Sequence, residues 1–340
     1  MLISIIIPAY NSEKTIGHCL QAMTEAFKRI PETEGEIIVV DDGSSDRTGD
    51  LAAAFRCRII RQIHKGAAAA RNAGARIARG EYLLFVDSDT IFYEDTLLRI
   101  CRHLLTGRVD YISVRYSRKP LNDGWVQRYK ALADYLYYYD FIFSRNQKES
   151  AIKNQTIGGG VEGYQAALFR ELGGFDEKIR GAGIERETFL ARASARARMI
   201  SDGRIKTGHY FPGFSKLTRD YFLRTFHVMK LRIRSEYKHP YLERNAGRIL
   251  IGACCALLPV MLLLQIPDGS FRAETLCLWL GVLWAYLLLH VRLLSLSFGM
   301  YGGTFTLYAV GMSWYCSSLI AAAGFLGFLR YTLLPGYRRE

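Results

Sequence analysis

The sequence predicts an α/β protein with a mostly parallel sheet, helices on both faces of that sheet, and a C-terminal group of membrane helices. Strand patterns alternate with helix patterns over residues 1–90 at the spacing of β-α-β units. The run YLLFV, Tyr82 to Val86, is apolar on both faces, as in a central strand of a covered sheet. After about Arg248 three long uncharged stretches follow, which are typical of membrane helices.

The N-terminal elements are predicted from apolar runs and from the residues that interrupt them. Asn11 or Ser12 is expected to cap the first helix, and Ser45 or Asp46 the short helix after the second strand. In chain order the elements are a strand over Ile3 to Ile7 that Pro8 ends, a helix from about Glu13 to Lys28, strands over Glu36 to Val40 and Arg58 to Ile63, a helix from about Lys65, and the strand over Tyr82 to Val86.

Three polar clusters follow strands of this predicted sheet: Pro8 to Asn11, Asp41 to Ser44, and Asp87 to Asp89. The carboxyl ends of parallel strands lie on one edge of a sheet, so these clusters are expected to form one site. Asp87 and Asp89 are two residues apart, and on an extended chain their side chains point to the same side. Two carboxylates this close suit Mg²⁺ or Mn²⁺, which bind through few carboxylates together with substrate phosphates.

Four segments together resemble the family 2 glycosyltransferases, which have the GT-A fold. The segments are SIIIPAYN, IIVVDDGSSDRT, GAAAARNAGARIARGEYLLFVDSD and LGGFDE, and the resemblance covers about residues 1–235. It implies a nucleotide-sugar donor carrying UDP, GDP or dTDP, a divalent metal ion (Mg²⁺ or Mn²⁺), and inversion at the anomeric carbon.

The resemblance also assigns roles to residues at the strand ends: Pro8, Ala9 and Tyr10 border the nucleoside, Asp42 receives the base, and Arg71 and Asp87 flank the nucleotide. Asp89, with Asp87 beside it, is the implied metal ligand. His209 follows a predicted strand over Arg204 to Thr207 and is a candidate third ligand, because a neutral imidazole accepts a divalent ion. An ordinary hydrogen bond is the competing interpretation of His209.

The acceptor half departs from the family pattern at the position of the catalytic base. GGGVEGYQAALFRELGGFDE, Gly158 to Glu177, matches the acceptor-side strand and helix and their turn at Gly173-Gly174. GAGIERETFLARA, Gly181 to Ala193, occupies the position of the family's E-D motif, in which the aspartate takes the proton from the attacking hydroxyl. Here Glu185 matches the glutamate, and Arg186 replaces the aspartate.

Glu185 and Glu187 are therefore the candidates for the base. In a helix that starts near Ile184 their side chains point about 200° apart, so only one of them can face the sugar. Partial burial would raise the pKa of such a carboxyl toward neutrality. Each of the two is also explained as an acid that the helix dipole favours at an N-terminus.

The predicted organisation separates a catalytic domain from membrane-associated segments. Its parts are a GT-A domain over residues 1–215, with a nucleotide-sugar-binding half (1–115) and an acceptor half (116–215), a basic amphipathic interfacial segment (216–248), two to three membrane helices (249–330), and a short basic tail (331–340). The uncharged stretches are Ile249 to Ile266, Thr275 to His290 and Thr304 to Leu329.

Localisation is predicted from the start of the chain and from its charge. Met1 leads directly into the first strand without a signal peptide, and the basic segment before the first membrane helix favours the cytoplasmic side and anionic lipid head groups. We therefore expect an integral protein of a bacterial or archaeal type inner membrane with a cytoplasmic catalytic domain. No recognition motif accompanies the basic segment, so no nucleic-acid partner is expected. The seven cysteines lack C-x-x-C spacing and indicate neither zinc nor a disulfide framework.

The predicted function is inverting, metal-dependent transfer of a sugar from a nucleotide sugar to a lipid-linked or membrane-embedded acceptor, in the assembly of a glycan, polysaccharide or glycolipid. Three alternatives stay open. A polyprenyl-phosphate glycosyltransferase needs no base, and Arg186 favours it. A non-catalytic nucleotide-sugar-binding membrane protein is disfavoured by the intact Asp87-Ser88-Asp89. A processive polysaccharide synthase is disfavoured because the Q-x-x-R-W signature is absent.

Overall fold

A computed structural model of the chain describes residues 1–142, 149–151, 160–178, 185–194, 196–233, 247, 249–252, 254 and 273–333. The chain divides into two compact units. One comprises Met1–Asp123 with Asp134–Phe211, and the other comprises Gly124–Ala133 with Pro212–Glu340. All the residues discussed below as the candidate site belong to the first unit.

The described part of the first unit is built on a nine-stranded sheet. The strands lie in the order β3-β2-β1-β4-β8-β6-β9-β5, and β7 pairs with β9. Their bounds are β1 Leu2–Ala9, β2 Glu34–Asp41, β3 Arg58–Arg61, β4 Tyr82–Val86, β5 Thr90–Phe92, β6 Tyr111–Tyr116, β7 Glu149–Ala151, β8 Val161–Gln165 and β9 Met199–His209.

The predicted α/β class is confirmed, and the sheet is mixed. Strands β1 to β4 are mutually parallel, and β6 is parallel to β9. Strand β8 runs antiparallel to both β4 and β6, and β5 and β7 run antiparallel to β9. The direction of a strand depends on the path of the chain that leads into it, so the residues of β8 alone do not indicate that it runs antiparallel to β4.

The helices complete two layers around the sheet. Ile5 and Leu84 face α1 and α4, whereas Ile6 and Phe85 face α3, α6 and α7, as the alternation of side chains along a strand requires. The helices of the first unit are α1 Ile16–Lys28, α2 Thr48–Ala53, α3 Ala67–Ile77, α4 Thr96–Leu105, α6 Ala166–Glu171 and α7 Glu185–Ala193, and α5 Trp125–Ile142 has residues in both units.

Strand β4 covers Tyr82 to Val86 as predicted, with all five residues buried. The prediction that Pro8 ends the first strand is wrong, because β1 continues to Ala9. At Pro8 the strand pairs with β2, while its pairing with β4 has already ended at Ile6. A proline without an N–H group is tolerated where a strand has lost one of its two neighbours.

The predicted caps of the first helix are also wrong. Helix α1 begins at Ile16, after Thr15, and no side chain caps it. Asn11 has a left-handed backbone (φ 49°) and its Oδ1 accepts a hydrogen bond from Ser45 N, so this side chain is engaged elsewhere. The predicted cap of α2 by Ser45 or Asp46 is wrong too, because its N-cap is Arg47 without a side-chain cap; the carboxylate of Asp46 accepts hydrogen bonds from the amide and the hydroxyl of Thr48.

The second unit contains α8 Phe214–Ile233, α9 Ala273–Leu289 and α10 Val291–Leu333. Helix α10 is interrupted at Gly302, whose backbone is non-helical (φ 81°, ψ −179°). Among the residues described, α10 is the one helix long and apolar enough to cross a membrane, and it contains the predicted stretch Thr304 to Leu329. Helix α9, in the second predicted stretch, is a shorter apolar helix. Most of the first stretch, Ile249 to Ile266, and residues 334–340 lie outside the described part.

Candidate active site

The polar clusters after β1, β2 and β4 are joined by hydrogen bonds at one edge of the sheet. Asn11 N donates to Ser44 Oγ (3.0 Å), and Ser12 N donates to Thr48 Oγ1 (2.7 Å). The hydroxyl of Ser12 also lies 2.8 Å from that of Ser88, between the two aspartates that follow β4. The structure therefore brings together the strand ends that the sequence suggested as one site.

Asp42 organises the loop that follows β3. Its Oδ1 accepts hydrogen bonds from Gln62 Nε2 (2.6 Å) and Lys65 N (2.9 Å), and its Oδ2 accepts one from Gly66 N (2.8 Å). His64 Nδ1 lies 3.0 Å from Oδ2. The carboxylate is buried, and both of its oxygens are engaged. Asp42 therefore fixes the loop beside the site whether or not it also contacts a ligand.

Tyr10 presents an aromatic ring at this edge. Its side chain is 48% exposed and stacks on His64, with ring centroids 4.1 Å apart and planes 29° apart. Ala9, which precedes it, is buried, and its carbonyl accepts a hydrogen bond from Asp42 N (2.9 Å); Pro8 is half-buried. A groove of about 550 Å³ opens next to this stack, lined by Ile63, His64, Lys65, Ala69, Glu177 and Lys178.

Arg71 reaches the site because α3 packs very closely on the sheet. A Cβ on Gly74 would lie 2.4 Å from Ile6 Cγ2, so only a helix of small residues fits here. From this position Arg71 Nη1 donates to Glu185 Oε1 (2.5 Å), and Nη2 donates to Asp87 Oδ1 (2.7 Å). Arg71 and Glu185 are both buried. The guanidinium therefore joins the end of β4 to the start of α7.

Asn72, the next residue of α3, attaches the turn that the sequence placed at Gly173-Gly174. Its Nδ2 donates to Phe175 O (2.8 Å) and Glu177 Oε1 (2.9 Å), and its Oδ1 accepts from Phe175 N (3.0 Å). Both glycines have positive φ values, 76° and 70°, as the turn requires. The segment LGGFDE is thus held against the helix that carries Arg71.

Arg186 lies on the same side of the site. Its Nη1 is 3.5 Å from Asp87 Oδ2, so Asp87 faces two guanidiniums. Burial alone would raise the pKa of Asp87, but the positive charges of Arg186 and Arg71 outweigh it and hold the pKa below its ordinary value. Asp87 is therefore engaged by arginines on both of its oxygens.

Asp89 and His209 form a second pair. His209 Nε2 lies 3.1 Å from Asp89 Oδ1, although the geometry does not make a hydrogen bond. Asp89 Oδ1 and His209 Nδ1 are buried and have no hydrogen-bond partner among the described residues. The Asp89 oxygen without a hydrogen-bond partner and the His209 Nε2 that faces it fit a divalent cation whose other ligands are oxygens of the substrate. Within the described residues no group of three His, Cys, Asp or Glu side chains is arranged to hold a metal ion. The carboxylate of Asp87, the other acid after β4, contacts Arg71 and Arg186 instead.

The two candidate bases lie at the N-terminus of α7, which begins at Glu185. Glu185 is buried and bonded to Arg71. The backbone of Glu187 is helical, and its side chain lies outside the described part. The third ionisable group of this turn is Arg186, which the sequence showed in place of the family's aspartate.

Glu162 on β8 was not predicted from the sequence. It is completely buried and accepts hydrogen bonds from Tyr164 Oη (2.9 Å) and Tyr111 Oη (3.4 Å). Burial raises its pKa to about 7, although Arg186 and the hydrogen bond from Tyr164 act in the opposite direction. The signal that was available is an acid inside the segment VEGYQ, which was expected to form a strand, since buried acids are rare unless they are paired.

Parallel β-α-β units with paired acids at the carboxyl edge of the strands, continued by the antiparallel strand β8, fit the GT-A fold. A family model described as "Glycosyl transferase family 2" matches residues 4–173, half of the chain. The chain belongs to this family.

Relatives with curated descriptions are similar over part of their length. The glycosyltransferase GlyG of Streptococcus pneumoniae is 35% identical over 130 residues, which are 36% of this chain and 42% of GlyG. The poly(ribitol-phosphate) beta-glucosyltransferase of Bacillus spizizenii is 41% identical over 106 residues, or 29% of this chain and 16% of that protein. The chain thus matches less than half the length of these relatives.

Solved structures confirm the GT-A fold. The mannosyltransferase PcManGT from Pyrobaculum calidifontis, in complex with GDP-Man and Mn²⁺, superposes with a TM-score of 0.57 at 16% identity, covering 97% of this chain and 86% of that one. Residues 1–349 of S. aureus TarS, in complex with UDP-GlcNAc, give a TM-score of 0.51 at 15% identity, covering 98% and 92%. At such identities the similarity concerns the fold.

Proposed function

We propose that this chain is an inverting, metal-dependent glycosyltransferase that moves a sugar from a nucleotide-sugar donor to a lipid-linked or membrane-embedded acceptor. One observation carries the proposal: an exposed aromatic ring, Tyr10, and the Asp89–His209 pair lie at the hydrogen-bonded carboxyl edge of the same parallel strands. Ligands of open α/β sheets bind at that edge.

Different residues have different proposed roles in binding the nucleotide-sugar donor. Pro8, Ala9 and Tyr10 border the nucleoside, and the exposed ring of Tyr10 offers a stacking face for the base. Asp42, beside that ring, fixes the loop and receives the base. Arg71 and Asp87 flank the nucleotide. The donors in the neighbouring structures are GDP-Man and UDP-GlcNAc, and the proposal assigns the same class of donor to this chain.

Asp89 and His209 would hold the divalent ion, Mg²⁺ or Mn²⁺, with Asp87 close by. When bound, the ion neutralises the diphosphate that leaves with the nucleotide. The buried oxygen of Asp89 without a hydrogen-bond partner supports this assignment, and so does the Mn²⁺ in the neighbouring mannosyltransferase structure.

Glu185 takes the proton from the acceptor hydroxyl in this proposal, and Glu187 is the second candidate. Arg71 orients Glu185 by holding its Oε1, so the other carboxylate oxygen must reach the hydroxyl. The hydroxyl then attacks the anomeric carbon from the face opposite the leaving group, and one displacement step inverts that carbon.

A second candidate has an acceptor phosphate in place of an acceptor hydroxyl. Arg186, in the place of the family's aspartate, is the observation that favours it, because its guanidinium lies at Asp87. A phosphate is already ionised at neutral pH and needs no base, and a guanidinium is well suited to bind it. The product would then be a polyprenyl-phosphate sugar.

A membrane location is proposed from the second unit. Helix α10 has the length and composition of a span, and large apolar side chains are exposed along it, including Phe298, Leu307 and Phe325. The proposal places the chain in a bacterial or archaeal type inner membrane with the catalytic domain in the cytoplasm and the basic segment 216–248 against anionic lipids. Such a location brings the enzyme to a lipid-linked acceptor.

The test is a donor-by-acceptor screen with the full chain purified in detergent. UDP-, GDP- and dTDP-sugars are combined with undecaprenyl phosphate or with a lipid-linked sugar that offers a free hydroxyl. We expect transfer that EDTA abolishes and Mn²⁺ or Mg²⁺ restores, with the anomeric configuration inverted by NMR. Asp89→Ala should abolish transfer, while the control Asp95→Ala, an exposed acid paired with Arg99, should not.

The Glu185→Gln variant distinguishes a hydroxyl acceptor from a phosphate acceptor. Transfer to the hydroxyl acceptor that Glu185→Gln abolishes supports the first candidate, and transfer to undecaprenyl phosphate that survives Glu185→Gln supports the second. Full activity in the presence of EDTA, or wild-type turnover by a folded Asp89→Ala variant, would remove the metal from the proposal. Absence of transfer from every donor would overturn it.

A further inference from the structure

The backbone at His209, the last residue of β9, is held by hydrogen bonds on both of its sides. On one side β5 pairs Thr90 with His209, and Asp89 O accepts a hydrogen bond from Tyr210 N (3.0 Å). On the other side His209 O accepts a hydrogen bond from Leu121 N (3.1 Å). His209 therefore lies between the strand that follows Asp89 and the segment that follows β6, and all of these residues belong to the first unit.

The side chain of Asn122 fastens Phe211, two residues after His209. Asn122 Oδ1 accepts a hydrogen bond from Phe211 N (2.9 Å), and Asn122 Nδ2 donates one to Phe211 O (2.8 Å). One side chain thus engages both polar backbone groups of Phe211. The chain passes into the second unit shortly after each of these two residues, at Gly124 and at Pro212. Asn122 therefore fixes the segment that carries His209 at the point where it leaves the first unit.

The imidazole of His209 packs against two aromatic rings. Its ring centroid lies 4.2 Å from that of Tyr116 and 4.6 Å from that of Phe211, and all three side chains are buried. The rings of Tyr116 and Phe211 also contact each other, with centroids 5.7 Å apart. Tyr116 occupies its place because Gly160 has no side chain: a Cβ there would lie 2.3 Å from Tyr116 Cε1. The three rings form one packed cluster.

This packing orients the imidazole of His209. Its Nε2 faces Asp89 Oδ1 at 3.1 Å, whereas its Nδ1 is buried and has no hydrogen-bond partner within the described residues. A histidine that binds a metal ion is ordinarily oriented by a hydrogen bond from its other ring nitrogen. Where that bond is missing, the neighbouring rings must hold the imidazole, and the position of the Phe211 ring depends on the backbone that Asn122 fastens.

We propose that Asn122 is a positioning residue of the metal site. By holding the backbone of Phe211, it keeps the Phe211 ring against His209 and thereby keeps His209 Nε2 directed at Asp89. This rests on the proposed function, because it takes Asp89 and His209 as the pair that holds the divalent ion. Asn122 acts through His209 and contacts neither the ion nor the substrate. Its loss should weaken metal binding although both ligands are still present.

The chain offers a matched control in Asn72. Its amide makes the same two hydrogen bonds with the backbone of another phenylalanine, accepting from Phe175 N (3.0 Å) and donating to Phe175 O (2.8 Å). This pair joins α3 to the LGGFDE turn and not to the segment of His209. Asn72 is buried and Asn122 is half-buried, so a general loss of stability should be at least as large in Asn72→Ala as in Asn122→Ala.

The experiment measures Mn²⁺ binding to the purified full chain, alone and with UDP or GDP, from the EPR signal of the free ion. We expect Asn122→Ala to raise the dissociation constant of Mn²⁺ about tenfold, as loss of a residue that orients a metal ligand does. Phe211→Leu should act in the same direction, because it removes the ring. Asn72→Ala should leave the dissociation constant unchanged while lowering the melting temperature at least as much. Should Asn122→Ala fail to fold, Asn122→Asp retains the acceptor for Phe211 N and should show a smaller increase.

A double-variant cycle tests whether Asn122 acts through His209. In the His209→Ala background, Asn122→Ala should have no further effect on the dissociation constant, because the side chain that it positions is gone. The same increase in both backgrounds would overturn the inference, and so would wild-type Mn²⁺ binding by Asn122→Ala or an equal loss of binding in Asn72→Ala. The comparison with Asn72→Ala decides the matter where His209→Ala binds too weakly for the cycle.

Failure of the proposed function gives a different result. Absence of Mn²⁺ binding by the wild type, or unchanged binding by His209→Ala, would remove the metal site and the inference with it. Mn²⁺ binding that depends on Asn122 in a chain without transfer activity would overturn the proposed reaction and leave the inference standing.

Discussion

Replacing Arg71 by methionine tests whether this arginine holds the buried acids of the site. The Arg71 side chain is 5% exposed, and that of Glu185, to which it is bonded, is 4% exposed. Removing one partner of a buried ion pair leaves the other charge uncompensated and costs about 3–5 kcal/mol. A loss of 1 kcal/mol lowers the melting temperature of a domain of this size by roughly 2–4 °C. We therefore expect Arg71→Met to lower it by roughly 6–20 °C.

The double variant Arg71→Met/Glu185→Leu should recover the part of this loss that comes from Glu185, since it removes the buried Glu185 carboxylate, while Asp87 keeps its contact with Arg186. Transfer activity should not recover, because Arg71 is assigned to the nucleotide. The control is Arg61→Gln, which breaks an exposed pair: Arg61 and Asp50 are 3.3 Å apart with 63% and 77% of their side chains exposed. Such a pair contributes at most about 1 kcal/mol.

The assay is thermal unfolding of the full chain in detergent, followed by intrinsic fluorescence and repeated with a fixed detergent and protein concentration. An Arg71→Met variant that melts within about 2 °C of the wild type would refute the claim that this buried charge pair matters for stability. A double variant as unstable as the single one would show that the packing of the arginine stem, and not its charge, is what the site requires.

Three further outcomes are expected. Gly174→Ala should cost about 1–3 kcal/mol more than Gly107→Ala, measured by thermal unfolding: both glycines have positive φ, but only at Gly174 would a Cβ lie 2.7 Å from Asn72 Oδ1. Glu162→Gln should gain stability over the wild type as pH rises. The pKa of Glu162 is about 7 in the folded protein against an ordinary 4.5. The bound proton therefore stabilises the wild type fully below pH 4.5, and this stabilisation is lost as the pH rises through 7. The stability of Glu162→Gln relative to the wild type should rise by about 3 kcal/mol between melts at pH 4.5 and pH 8. Asp42→Ala should raise the donor KM more than it lowers kcat in steady-state assays, because a base contact is shared by ground and transition states.

The edge formed by the ends of β1, β2 and β4 was largely predictable because its sequence signals are local. Strand β4 is apolar on both faces, begins after Gly80 and ends at Asp87, so its bounds are fixed by adjacent residues. The acids that follow β2 and β4 lie at the expected edge for the same reason: a parallel sheet determines where strand ends go. The start of α1 was missed because Asn11 bonds across to Ser45, a contact that local cap preferences do not report.

The contacts of α7 and β8 were less predictable because they join residues that are distant in sequence. Arg71 and Glu185 are separated by 114 positions, and nothing in either segment indicates the other. Glu162 lies in a strand whose neighbours are apolar, and its significance depends on which residues of α7 lie over it. The direction of β8 has the same origin, since direction depends on the path of the chain between strands and not on the composition of the strand.

These distant contacts give the replacement of the family's aspartate by Arg186 a structural meaning. An aspartate there would add a fourth acid to a site that already holds Asp87, Glu185 and Glu162, with Arg71 as the opposing charge. Arginine instead brings the balance to three acids and two cations, and it lies where both Asp87 and Glu162 act on it. If position 186 had only lost a catalytic base, a neutral residue would serve there, whereas Arg186 carries a positive charge beside the negative charge of Asp87. We therefore expect Arg186 to take part in the proposed reaction, and we expect the choice between a hydroxyl and a phosphate acceptor to depend on what its guanidinium contacts when the acceptor is bound.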